Sequence, residues 1–180
     1  MTFRKITGAA IILATPAMTP AFADISETRN FYQFEPTVLT SGQPSAAQLS
    51  EAADDGIEVV INLVPESEGI YNPEEGEILA AQGVEYIHVP VNWRDPKAEE
   101  FQNFLNAMDR VGDRKVLVHC WANARASALV AAHRAISAPD TQVAELEQLE
   151  TIWSDVAGYD FSRNTVWQDY LEDNIAGAAQ

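Results

Sequence analysis

The chain has one cysteine, three histidines and 11 Lys+Arg against 27 Asp+Glu in 180 residues, and each shortage removes a class of explanation. A lone cysteine has no partner for a disulfide within the chain, so apolar burial must hold the fold together. His88, His119 and His133 share no metal-ligand spacing, and neither a metal nor a cofactor is expected. Residues 24–180 carry nine basic and 27 acidic side chains, a formal charge of −18. Such a surface repels nucleic acid and anionic lipid, so neither is expected as a partner. An anionic substrate has to be captured by a local cluster of donors. Beyond residue 23 no apolar run is long enough to cross a bilayer.

The one apolar stretch of note is at the start. Arg4 and Lys5 precede a run from Ile6 to about Met18, and Ala21-Phe22-Ala23 stands just before Asp24. A basic region, an apolar region and an A-x-A site are the parts of a secretory signal peptide. Residues 1–23 are therefore read as a signal. The expectation is export, to the periplasm in a double-membraned bacterium, with no membrane insertion once the signal is removed. A retained anchor is the weaker reading, because the run is short and Pro16 and Pro20 interrupt it. Residues 24–180 suffice for one domain with a sizeable core.

Within that domain, strand and helix patterns alternate. Val38–Gln43 reads as a strand entering a turn, and Ser45 as the N-cap of a helix to about Asp55, stopped at Gly56. "IEVVINL", residues 57–63, is a buried strand by its β-branched content. A polar loop spans Val64–Pro73, followed by a short helix over Glu74–Gln82 and a strand over Tyr86–Val89. A helix runs from Lys97 to about Arg110, with Phe101, Phe104, Leu105 and Met108 on one face. "KVLVH", residues 115–119, is a further strand, and helices follow at Ala126–Ser137, about 141–156 and about 162–175. The alternation predicts an α/β domain with a mostly parallel sheet of about four to five strands flanked by helices. Trp153 and Trp167 are read as core.

The cysteine sits in "LVHCWANARAS", residues 117–127. A free thiol is most often an inert core residue, yet in an oxidising compartment it is a liability unless buried or used. Here Cys120 follows a strand and precedes a short loop and a helix N-terminus, the edge of an open parallel sheet where ligands bind. Unpaired backbone N–H groups and the positive end of the helix dipole converge there, which suits an anion and favours thiolate over thiol. Arg125 adds a planar donor fork matched to phosphate oxygens. The residues therefore favour a nucleophile over a core filler.

Three blocks, "TSGQPSAAQL" at 40–49, "VVINLVPESE" at 59–68 and "VLVHCWANARAS" at 116–127, resemble the beta-lactamase hydrolase-like protein phosphatase-like family. This is a bacterial branch of the cysteine-dependent tyrosine and dual-specificity phosphatases. The resemblance spans roughly Val38 to Ile136. It implies a phosphatase-like α/β fold and metal-free hydrolysis of phosphomonoesters through a cysteinyl-phosphate. The substrates implied are phosphorylated small molecules or phosphoproteins. Cys120 would attack phosphorus while Arg125 and the loop His119, Trp121, Ala122, Asn123, Ala124, Ala126 and Ser127 cradle the phosphate. The general acid would come from the segment before the long helix, "VNWRDPK" at 91–97, where Asp95 is the candidate; as a helix-capping or turn aspartate it is explained equally well. His119 would orient the loop.

Only four residues separate Cys120 from Arg125, where ordinary tyrosine phosphatases have five. The bacterial branch shares this spacing, and so do sulfurtransferases of the rhodanese type, whose smaller loop holds a persulfide. Sulfur transfer is thus the alternative activity. A third reading is an inactive domain that binds a phosphorylated or other anionic partner, since Asn123 stands where glycine is common and Ala126 where a hydroxyl often follows the arginine. Whether Ser127 reaches the leaving thiolate is open at this level. Gly42 and Pro44 fit a turn, with no catalytic part required of Ser41 or Gln43. Glu66 and Glu68 read as a solvated acidic loop, with shaping the rim of the site as the weaker alternative, and His88 as a structural histidine. Trp93 and Trp121 fit either packing or a wall for an aromatic or sugar group.

Overall fold

A computed structural model describes residues 24–178; the expected signal at 1–23 lies outside the described residues. Five strands form one sheet: β1 (Tyr32–Glu35), β2 (Val38–Ser41), β3 (Val59–Asn62), β4 (Glu85–His88) and β5 (Val116–His119), in the order β1-β2-β5-β3-β4. β2, β5, β3 and β4 run parallel and β1 is antiparallel on the edge. The sheet is the expected mostly parallel one of an α/β domain, with five strands flanked by helices.

β5 is the middle strand, and Val116, Leu117 and Val118 have no exposed surface. A strand covered on both faces needs the continuous apolar run that this segment carries. Each such side chain contributes about 1.5–3 kcal/mol by leaving water. Val59, Ile61, Val116, Val118 and Cys120 face α3 (Ala98–Val111), α4 (Ala124–Ser137) and the C-terminal helices α5 (Gln142–Thr151) and α6 (Thr165–Ala178). Val60, Leu117 and Leu39 face α1 (Ala46–Ser50) and α2 (Glu75–Ala80). Successive side chains of a strand alternate faces, so His119 and Cys120 serve opposite sides of the sheet.

Several boundaries differ from the sequence pattern. β1 was not expected, because a four-residue edge strand with Gln33 and Glu35 lacks a long apolar run. α1 stops at Ser50 and the chain continues in turns to Gly56, where φ is +76°. α4 begins at Ala124, two residues early, which brings Arg125 into its first turn. The expected helix over about 141–156 changes at Ile152 into a wider π-helical turn, Ile152–Ala157. Trp153 and Trp167 are fully buried, as expected.

Candidate active site

Cys120 leaves the carboxyl end of β5 with 2% of its surface exposed. Trp121, Ala122 and Asn123 then turn the chain into α4. Two outside segments hold this turn. Gln43 N–H donates to the Trp121 carbonyl (3.1 Å), and Asn30 Nδ2 donates to the Ala122 carbonyl (3.0 Å). Asn123 Nδ2 returns a bond to the Asn30 carbonyl (2.6 Å). Gly42 is wedged in between: a Cβ there would lie 2.8 Å from the Trp121 carbonyl oxygen and 2.9 Å from that of Arg29. Close backbone approach, beyond the turn itself, therefore requires the glycine of the "SGQPS" block.

Asn123 has φ +68° and stands at the N-cap of α4, but its side chain does not cap the helix. Asparagine tolerates this left-handed conformation better than other side chains with a Cβ. Because its amide is spent on Asn30, the first N–H groups of α4 keep no side-chain acceptor, and helix geometry gives them no intrahelical one. The Trp121 carbonyl turns outward to Gln43, and in a trans peptide the Ala122 N–H points the opposite way. The result is a set of amides backed by a helix dipole, suited to an anion.

Arg125, 3% exposed, is fixed by three bonds. Nη1 and Nη2 donate to the two carboxylate oxygens of Glu68 at 2.7 and 2.9 Å, and Nη1 also donates to the Val91 carbonyl at 2.9 Å. A guanidinium has five N–H groups, so the Nε–H and one Nη2–H, which share an edge, remain free of these oxygen acceptors. Burial works against the charge of Arg125, but the hydrogen bonds it donates to Glu68 and its electrostatic interactions with Cys120 and Glu68 outweigh it and raise the pKa. Glu68 thus belongs to the site rather than to a solvated loop. Sequence position offered a place on the rim only as the weaker reading, because a carboxylate 57 residues from its partner looks like its acidic neighbours.

A cavity of 520 Å³ opens over Cys120 and Arg125. Trp121, Ala122 and Ala124 of the loop line it with Pro65, Ser67, Glu68 and Ile70 from one side and Asn92, Trp93, Arg94 and Tyr159 from another. Trp121 is 42% exposed, with the Arg29 guanidinium 4.5 Å from its ring centroid. Trp93 packs on Trp167 at 5.2 Å between centroids and on Tyr159 at 5.4 Å. Trp167 Nε1 donates to the Trp93 carbonyl (3.0 Å), and Trp153 Nε1 to the Ala124 carbonyl (3.1 Å). The C-terminal helices therefore anchor both the 91–97 segment and the first turn of α4.

The remaining candidates are placed unevenly. Asp95 is at the outer rim, its side chain 71% exposed and paired with Lys97, and it is not among the cavity-lining residues. Its backbone N–H and that of Arg94 donate to Asn92 Oδ1 at 3.2 and 2.9 Å. Ser127 is fully buried; its Oγ lies 2.8 Å from the Asn123 carbonyl, back along the helix. Ala126 is buried beside it. His119 lies beneath the loop with no exposed surface, and its Nε2 is 3.2 Å from Glu75 Oε2. His88 is structural as read, its Nε2 2.8 Å from the Val64 carbonyl.

A model of the beta-lactamase hydrolase-like protein, phosphatase-like domain matches residues 30–137. The chain belongs to that family. A DUF442 protein of Shewanella putrefaciens CN-32, which carries a provisional phosphatase name, is 34% identical, with 83% of this chain and 91% of that one covered and a TM-score of 0.72. TpbA of P. aeruginosa matches at 18% identity over 89% of this chain and 96% of its own, with a TM-score of 0.66. The yeast PP-IP phosphatase SIW14 matches at 16% over 81% and 85%, with a TM-score of 0.64. These two distant likenesses establish a shared fold with phosphatases. No curated protein matches the sequence. The family match ends at residue 137, so Trp153, Tyr159 and Trp167 lie beyond the matched segment.

Proposed function

We propose that the chain is a metal-free phosphoric monoester hydrolase that works through a cysteinyl-phosphate on Cys120. The observation that carries this reading is the guanidinium of Arg125, held by Glu68 and Val91 so that an N–H edge is left over beside the nucleophile.

In the first step the Cys120 thiolate attacks phosphorus in line, forming the S–P bond as the bond to the leaving oxygen breaks. The α4 amides and Arg125 bind the equatorial oxygens, whose charge a preorganised site stabilises. Asp95 protonates the leaving oxygen, which requires the 91–97 segment to turn that carboxylate inward from its contact with Lys97. Water then attacks phosphorus, giving a proton to the Asp95 carboxylate as the S–P bond breaks, which restores the thiolate and the acid and releases inorganic phosphate. The substrate is a phosphorylated small molecule or phosphoprotein met after export.

The test is phosphate release from an aryl phosphate with wild type, Cys120→Ser and Asp95→Asn. Loss of turnover in the serine variant, and a phosphate adduct on Cys120 in trapped wild-type enzyme, are expected. Release that survives the serine change would refute the mechanism. The four-residue loop favours sulfur transfer as the second reading, because its ring of amides is smaller. Thiocyanate formation from thiosulfate and cyanide, with a persulfide on Cys120, would select it.

A further inference from the structure

On the side of the sheet away from the cavity, a carboxylate with no exposed surface faces the residue before the nucleophile. Glu75, in the first turn of α2, is fully buried. Its Oε1 accepts from Gln43 Nε2. Its Oε2 accepts from Asn62 Nδ2 at 2.7 Å and lies 3.2 Å from His119 Nε2. Asn62 also orders the exit of β3, its Oδ1 accepting from the Val64 N–H at 2.7 Å. Tyr86 completes the cluster, with its hydroxyl 3.1 Å from Asn62 Nδ2. Burial and the charge of Glu75 hold the Tyr86 hydroxyl in its neutral form.

A buried carboxylate costs several kcal/mol of lost hydration unless donors replace the water. The fold brings two to this one, from the end of β3 and the turn after β2, and sets the buried His119 ring at the end of β5 close by, its two nitrogens without a hydrogen-bond partner. No part of the mechanism above uses any of them. Their placement is telling: His119 directly precedes Cys120, while Gln43 holds the Trp121 carbonyl through its own N–H. Glu75 therefore reaches the backbone on both sides of the nucleophile, through an imidazole on one side and an amide on the other.

We propose that Glu75 is a positioning residue which, through its charge beside the buried His119 Nε2 and by accepting the Gln43 amide, fixes the residues flanking Cys120 and so sets the aim of the sulfur. Glu75 touches no substrate. Its effect is on the chemical step rather than on binding. The proposal rests on Cys120 being the nucleophile, and its first two readouts need no turnover.

Three measurements test it. In wild-type protein, the ring 15N shifts of His119 should show a protonated Nε2 close to a carboxylate; an Nε2 resonating as an unprotonated acceptor would overturn the proposal, whatever the activity. Glu75→Gln should slow alkylation of Cys120 by iodoacetamide about tenfold and lower kcat on an aryl phosphate by about 10²-fold, the scale of a reacting atom misplaced by 1 Å. KM should stay within about threefold. An unchanged alkylation rate in folded Glu75→Gln protein would sink the idea.

The reciprocal variant Gln43→Glu/Glu75→Gln keeps a carboxylate–amide pair between the two positions but moves the charge off His119. It should recover melting temperature without recovering alkylation rate or kcat. Recovery of all three would make Glu75 merely structural and refute a positioning role. If wild type releases no phosphate at all, the function proposed above fails, while the 15N and alkylation readouts still decide the role of Glu75.

Discussion

Replacing Arg125 with lysine keeps the charge and removes the fork, and the geometry says what is lost. The guanidinium makes three bonds to protein at 2.7, 2.9 and 2.9 Å and still has an N–H edge for a ligand. An ammonium on a shorter reach has three protons in all. It can hold Glu68 or an equatorial phosphate oxygen, but it cannot keep the other contacts and present two parallel donors as well. Losing one preorganised donor to a developing oxyanion costs about 2.7–4 kcal/mol, or about 10²–10³ in rate. The expectation for Arg125→Lys is therefore a kcat/KM on an aryl phosphate about 10²–10³-fold below wild type. The folded state should change much less, by about 1–3 kcal/mol, because Glu68 retains a charged partner and is itself partly solvated. Steady-state kinetics beside urea unfolding separates the two effects. A lysine variant with kcat/KM within threefold of wild type would refute the assignment of the free guanidinium edge to the phosphate, even if Cys120 proved essential.

Three further expectations follow from neighbouring geometry. Gly42→Ala forces the Trp121 or Arg29 carbonyl to move, both being backbone, so activity should fall tenfold or more with the protein still folded by circular dichroism. Asn123→Ala keeps φ +68° without the bond to the Asn30 carbonyl and should destabilise by about 2 kcal/mol, whereas Asn123→Gly should cost less; thermal melts of the pair check this. Tyr86 and Tyr170 are pushed above their ordinary value of 10.0, chiefly by burial with added charge from Glu75 and Glu100 respectively. With the folded pKa raised, their contribution is complete below about pH 10 and is lost as pH rises above it. Urea midpoints should therefore fall between pH 9 and 11, and less steeply in Tyr170→Phe.

The central strands were readable because β-branched runs bounded by turn residues have few other uses, and β5 with its following loop stood out once the lone cysteine asked for an explanation. The antiparallel β1 was not readable: Tyr32–Glu35 alternates polar and apolar over only four residues and owes its place to pairing with β2. Cys120, the loop and Arg125 came together because a strand, a turn and a helix start are local in sequence. Glu68 and Glu75 could not be singled out in the same way. Each sits in an acidic stretch, "PESE" or "PEEGE", and only the fold shows which carboxylates are turned inward to Arg125 and His119. Gln43 was passed over for a related reason, since a turn explains its neighbours and its amide partner lies 32 residues away.

Tyr159 lines the cavity and Trp153 donates to the Ala124 carbonyl, yet both lie past the matched family segment. The loop and the 91–97 segment thus rest on indoles supplied from far along the chain. A cut at residue 137 would spare Cys120 and Arg125 themselves but remove the Trp153 donor from under the first turn of α4 and the Trp167 donor from the Trp93 carbonyl, so the scaffold would give way before any candidate group was touched.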